Sequence, residues 1–199
     1  MLANRVKVDP ECTRDSSIFL TVPNNTTPPG ARRLELWTAL SPVQRAILGS
    51  DGSFTLLLTA LLGKEVKVSL IEQSISHMRR HDEAVQLDKG ARVLNRNVRL
   101  YVEPDRNIVY ASSVIAIDRV APAVAYDFLA GTETLGRTLR KHRLETFREL
   151  VDWGTMATPE AARPHFHAAE MMYRSYRIIA NRIPIMIVTE FFDCRTLDL

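Results

Sequence analysis

Cysteine is nearly absent: Cys12 and Cys194 are the only two in 199 residues, and neither sits in a CxxC. Two isolated thiols build neither a disulfide framework nor a structural zinc site, so a reduced, cytoplasmic setting is expected. Long apolar runs are missing too. No window reaches the roughly 18 uncharged apolar residues of a membrane span. The N-terminal Met1-Leu2-Ala3-Asn4-Arg5-Val6-Lys7 lacks the apolar stretch of a signal peptide, and no membrane association is expected. Glycine is sparse, with eight in all, and none falls in a GxGxxG, GxxxxGKS/T or GxSxG pattern. Nucleotide cradles and the nucleophile elbow therefore have no support. Charge of one sign is also scarce. The net charge of +3 favours anionic ligands but is too small to argue for nucleic acid.

What is present suffices for one domain with a real core, since 46% of the residues are hydrophobic. Residues 1–31 read as a flexible arm, because Thr21-Val22-Pro23-Asn24-Asn25-Thr26-Thr27-Pro28-Pro29-Gly30 is turn-rich and aperiodic. Residues 32–199 read as the folded domain. Arg33 to Gly49 has helical spacing broken at Ser41-Pro42, where Ser41 can cap a second helix. Ser53 precedes a short helix from Phe54 to Leu62, which Gly63 ends. Strands are expected at Glu65–Ser76, Ala91–Val102 and Asn107–Ile117, the last two joined by a turn at Glu103-Pro104-Asp105-Arg106-Asn107. Helices are expected at Pro122–Leu129 and, longer and amphipathic, at Thr134–Trp153. A final hairpin pairs Met172–Ile179 with Ile185–Phe192 across Ala180 to Pro184. Two hairpins with helices grouped before and between them give an α+β class with an antiparallel sheet.

The last strand carries the strongest chemical signal. Ile183-Pro184-Ile185-Met186-Ile187-Val188-Thr189-Glu190-Phe191-Phe192 is almost wholly apolar and β-prone, yet it holds a carboxylate. A strand of that composition is covered on both faces, which turns Glu190 into the protein. Burial raises a carboxylate's pKa and a nearby cation lowers it. Such a group either has a dedicated partner or is held for proton transfer; a strand-end Glu facing solvent or a structural arginine is the plainer alternative. Arg96 poses the same question. It alternates with Leu94, Val98 and Leu100, whereas Arg99 shares the other face with Asn95, Asn97 and Tyr101. A guanidinium on an apolar strand face demands an anion. Glu190, a ligand, or both in turn could supply it.

Other clusters are weaker. His77 and His81 have the i, i+4 spacing of half a zinc helix, but Met78 stands where a zincin has its Glu and the segment follows a strand. His165 and His167 read as a surface loop. The basic run Arg137-Thr138-Leu139-Arg140-Lys141-His142-Arg143 reads as a solvated helix face, with one or two cations free to attract a small polyanion. No metal or cofactor is expected.

The chain resembles the chorismate pyruvate-lyase family, in its actinobacterial branch, from about Leu48 to Phe192. The segment Pro184 to Glu190 matches the family's ending of Pro, four aliphatic positions, Thr and Glu. Thr134-Leu135-Gly136-Arg137 matches a Pro-Leu-Gly element, with Thr134 in place of Pro, and Ser53-Phe54-Thr55 falls at the pocket lid. Ala111-Ser112-Ser113 stands where enterobacterial members have Gly-Arg-Thr, so one cation is missing. The resemblance implies a chorismate lyase-like fold and chorismate as the small-molecule substrate. It implies catalysis by Glu190 and Arg96, with Arg96, Leu135, Gly136, Phe54, Thr55 and Thr189 as substrate contacts. The same fold serves ligand-sensing domains of bacterial transcription regulators, which makes a binding-only domain the alternative, beside a lyase acting on a chorismate analogue. Residues 1 to 50 show no winged-helix pattern. The oligomeric state stays open.

Overall fold

The computed structural model describes residues 7–8, 36–103 and 106–193. After a helical turn over residues 36–39, α1 (Pro42–Gly49) and α2 (Phe54–Leu62) lead into β2 (Lys67–His77). The hairpin β3 (Arg92–Glu103) and β4 (Arg106–Ile115) follows, then α3 (Pro122–Ala130) and α4 (Leu135–Lys141). The chain closes with β5 (Phe147–Ala157), β6 (Glu170–Ala180) and β7 (Ile183–Phe192). Of the arm expected over residues 1–31, only β1 (Lys7–Val8) is described, and it pairs in parallel with Ser74 and Ile75 of β2. Residues 104–105 of the expected turn lie outside the described residues.

Local chemistry sets the boundaries. Ser41 accepts a hydrogen bond from the Gln44 amide at 3.2 Å while the Gln44 side chain accepts from the Ser41 amide at 2.9 Å. This capping box, with Pro42 in the first turn, starts α1 where the sequence places it. Gly63 ends α2 in the left-handed region. The last hairpin is tighter than expected: only Asn181 and Arg182 turn, both at positive φ, and Pro184 already belongs to β7.

One sheet organises everything, in the order β1-β2-β3-β4-β7-β6-β5, antiparallel apart from β1. Helices α1 and α2 bury Ile47, Leu48, Phe54 and Leu58 against Val98, Leu100, Met172 and Phe192. Helices α3 and α4 bury Val124, Phe128 and Leu139 against Leu94, Ile115, Ile178 and Met186. The opposite face is closed by loops that carry Val85 and Leu87, and Phe166 and Ala168. Together these make an α+β single domain whose β7 is buried on both sides.

The long helix expected at Thr134–Trp153 is wrong in its second half. Arg143 adopts φ +50°, the helix stops at Lys141, and Phe147–Ala157 is an edge strand. A register shift between Leu150 and Asp152 inserts one residue into β5. That bulge puts Leu150 and Trp153, three residues apart, on one face, a step that mimics a helix, while Phe147 lies on the other face.

The hairpin turn yields a stability prediction. Left-handed backbone costs a non-glycine residue about 1–2 kcal/mol, and Asn-Gly is the preferred pair in such turns. Arg182→Gly should therefore raise stability by up to about 1 kcal/mol after the entropy of glycine is counted. Thermal unfolding would read this as a small upward shift; a lowered Tm would show that the Arg182 side chain contributes more than its backbone costs.

Candidate active site

Strand pairing brings two short rows of side chains side by side beneath the helices. Arg96 lies beside Ser113, then Val188, then Tyr176; Val98 lies beside Ala111, then Glu190, then Arg174. Period-two alternation makes these one face of the sheet. Above them sit Ser53, Phe54 and Thr55 at the start of α2, and Thr134, Leu135 and Gly136 at the start of α4; Arg148 of β5 completes the pocket.

Glu190 is only 5% exposed and its two oxygens are both engaged. Arg174 Nε donates to Oε2 at 2.7 Å, and the Tyr176 hydroxyl donates to Oε1 at 2.9 Å. Arg174 is 1% exposed, and its Nη1 donates to the carbonyls of Ile47 and Ser50, the latter at 2.9 Å. Its guanidinium carbon lies 4.2 Å from the Phe54 ring centroid and 5.2 Å from that of Tyr176. Burial first, and then the Glu190 charge, push the Tyr176 hydroxyl far above its ordinary range, which keeps it protonated as a donor. The partner of Glu190 is thus Arg174 rather than Arg96.

Arg96 is differently placed. It is 2% exposed, and its Nη2 donates to the carbonyls of Gly131 at 3.2 Å and Glu133 at 2.6 Å. Its Nε is buried without a partner, and no carboxylate pairs with it among the described residues. Burial alone lowers its pKa to about 10, so the group remains a cation at neutral pH. A buried guanidinium held by neutral carbonyls, with a donor left over, is a site for an anion. Gly131 has φ +68°, and a Cβ there would come 3.1 Å from Leu70 Cδ2, so glycine lets this carbonyl reach Arg96.

Arg96, Glu190, Phe54, Thr55, Leu135 and Gly136 all line this one pocket. Thr189 does not. Alternation along β7 turns it to the opposite face, where its hydroxyl lies 3.1 Å from that of Ser175. Its expected place among the pocket contacts is corrected accordingly. His81 pairs with Asp88 at 2.8 Å in an exposed loop, and His77 ends β2. The basic run is spent on Glu65 and Asp127: Arg137 reaches Glu65, while Lys141 and His142 both reach Asp127. Those two hydrogen bonds hold the Asp127 carboxyl below the usual range.

The sequence signal for Arg174, Tyr176 and Arg148 was uneven. Arg174 alternates with Met172, Tyr176 and Ile178, the same pattern that marked Arg96, and could have been found that way. Arg148 was hidden by the misread helix.

The family described as Chorismate pyruvate-lyase Rv2949c-like matches residues 48–198. The chain belongs to this family. It is accordingly an enzyme of the carbon–oxygen lyase class. A chorismate pyruvate-lyase of Mycobacterium tuberculosis is 29% identical over 165 residues, covering 74% of this chain and 78% of that protein. The chorismate pyruvate-lyase of Mycobacterium leprae is 26% identical over 161 residues, covering 74% and 72%. Among solved structures, the effector domain of PhnF from Mycobacterium smegmatis superposes with a TM-score of 0.55 at 17% identity, covering 71% of this chain and 88% of that one. A GntR-family transcriptional regulator from Bacillus cereus gives 0.51 at 12% identity, covering 65% and 92%. These two show a shared fold. No helix among the described residues is long and apolar enough to cross a membrane.

The ion pair can be tested through stability. Removing one partner of a buried pair strands a charge at a cost of about 3–5 kcal/mol. Arg174→Met should lose stability on that scale in urea unfolding, and adding Glu190→Gln should recover much of it. Strict additivity of the two changes would show that the groups do not support each other.

Proposed function

We propose that the chain is a chorismate pyruvate-lyase, which cleaves the enolpyruvyl ether of chorismate to give 4-hydroxybenzoate and pyruvate. The observation that carries this reading is a buried carboxylate, Glu190, in the same pocket as a buried arginine, Arg96, that has a donor to spare. Membership of the family and the names of the mycobacterial relatives support it.

The reaction breaks the C4–H and C3–O bonds of the ring. The C4–H electron pair becomes the C3–C4 double bond and completes the aromatic ring. The C3–O pair leaves on oxygen as the enolate of pyruvate, which takes up a proton at its methylene carbon. Atoms balance and no electrons are exchanged with another molecule. The protein's tasks are to hold the substrate, exclude water and move a proton. In this reading Arg96 binds the ring carboxylate. Glu190 receives the C4 proton, because its oxygens are already arranged by Arg174 and Tyr176 as acceptors. Ser53 to Thr55 and Leu135-Gly136 form the cover. The cavity is only about 60 Å³, well below the ~150 Å³ that holds benzene in an engineered core. Substrate entry in this reading therefore displaces that cover.

Purified protein given chorismate should release 4-hydroxybenzoate and pyruvate in equal amounts, resolved by chromatography. A 3-hydroxybenzoate or aminobenzoate product, or no turnover, would reject the assignment. Glu190→Gln keeps the side-chain size but cannot accept the proton, so kcat should fall by about 10²–10⁴-fold. A variant with near wild-type kcat would remove Glu190 from the mechanism.

Arg96→Ala separates ligand binding from structural support. Hydrogen bonds to charged groups contribute roughly 1.5–3 kcal/mol, so 4-hydroxybenzoate should bind about ten- to a hundredfold more weakly to this variant. Lysine should rescue only in part, since it lacks the planar fork. Unchanged calorimetric affinity in a destabilised protein would assign Arg96 to the fold alone.

A further inference from the structure

We infer that Arg148 is the second anion anchor of the pocket, taking the enolpyruvyl carboxylate while Arg96 takes the ring carboxylate. The inference rests on the lyase reading, because only a dianionic substrate needs two anchors.

Three charged side chains line the pocket: Arg96, Glu190 and Arg148. Glu190 is neutralised by Arg174 from outside that lining, which leaves two cations facing the cavity without a carboxylate of their own among the described residues. Three other arginines of the sheet and its helices are paired with carboxylates: Arg92 with Asp118, Arg137 with Glu65 and Arg177 with Glu149. Arg148 has a single hydrogen bond, from Nη1 to the Asp51 carbonyl at 3.4 Å, near the limit of what counts as one. Pairing with Ile178 puts Arg148 on the cavity side of β5, where its charge is felt by the Tyr176 hydroxyl.

Position then selects the ligand group. In the sheet order β3-β4-β7-β6-β5, Arg96 and Arg148 lie on opposite walls with β7 between them; by register Glu190 sits two residues to one side of the Arg96 row and Arg148 two residues to the other. Four strand spacings separate their backbones by about 19 Å, and both long side chains reach back over the cavity. Chorismate has the same order of parts: the ring carboxylate, the C3–C4 bond where the chemistry occurs, and the enolpyruvyl carboxylate. Binding both ends fixes the reacting carbon over Glu190. Arg148 also answers the cation missing at Ala111-Ser112-Ser113, from the far wall rather than from the neighbouring strand. Arg174 is not among the pocket's lining residues; its Nε is held by Glu190 and its Nη1 by two carbonyls.

The test compares two unreactive probes, 3-methoxybenzoate and 3-(carboxymethoxy)benzoate, which differ by a carboxylate placed where the enolpyruvyl group sits. Calorimetric titration of wild type should show the dianion binding about ten- to a hundredfold more tightly. In Arg148→Ala that gain should vanish while 3-methoxybenzoate binds as before, which also reports an intact pocket; Arg148→Lys should restore part of the gain. The anchor is refuted if the gain survives in Arg148→Ala, if wild type shows none, or if the variant loses both probes alike. Chorismate turnover is scored separately. An inactive wild type with an Arg148-dependent gain would overturn the lyase reading and leave the dianion site standing; an active one with an Arg148-independent gain would do the reverse.

Discussion

The buried pair of Arg174 and Glu190 is the constraint around which this structure is arranged. Taking a guanidinium and a carboxylate out of water costs several kcal/mol per ion, and their attraction offsets it only when the remaining hydrogen-bonding capacity is met. Here it is met from every direction. Tyr176 fills the second Glu190 oxygen, the carbonyls of Ile47 and Ser50 accept from Arg174, and the rings of Phe54 and Tyr176 cover its faces. Satisfying one ion pair thus fixes the register of β6 on β7, the end of α1 and the start of α2. The cover of the pocket and the Glu190 carboxylate are parts of a single packing unit.

Much of this was legible in the sequence. The apolar run ending in Thr189-Glu190 announced a strand buried on both faces, and alternation placed Arg96 among apolar neighbours; both residues line the pocket. The capping signal at Ser41-Pro42 and the glycine after Leu62 placed two helix ends correctly. What failed did so for physical reasons. Pairing across strands depends on strand order, and no local pattern says that β7 lies between β4 and β6; alternation alone therefore left open whether Arg96 faces Glu190 or a ligand. In β5 one bulged residue disguised a strand as a helix and hid Arg148. Thr189 entered the expected contacts with the resemblance, although successive residues of a strand face opposite ways and Thr189 cannot share the face of Glu190.

Architecture alone says little about activity here. Effector domains of transcriptional regulators share this fold at 12–17% identity, and folds of this kind carry unrelated functions. This chain holds a carboxylate bound by an arginine and a phenol, next to two cations without a carboxylate partner among the described residues. That combination is costly to build in a core. A binding pocket could satisfy an anion with Arg96 and backbone amides alone.

The two buried arginines of the site share one further trait. Arg96 is gripped by the carbonyls of Gly131 and Glu133, and Arg174 by those of Ile47 and Ser50, all main-chain atoms. Such acceptors do not register which side chain they belong to. Drift in amino-acid identity at 47, 50 and 133 leaves the grip intact, whereas a one-residue insertion or deletion in either loop would carry the carbonyls out of reach. The pocket is therefore tolerant of substitution and intolerant of changes in loop length.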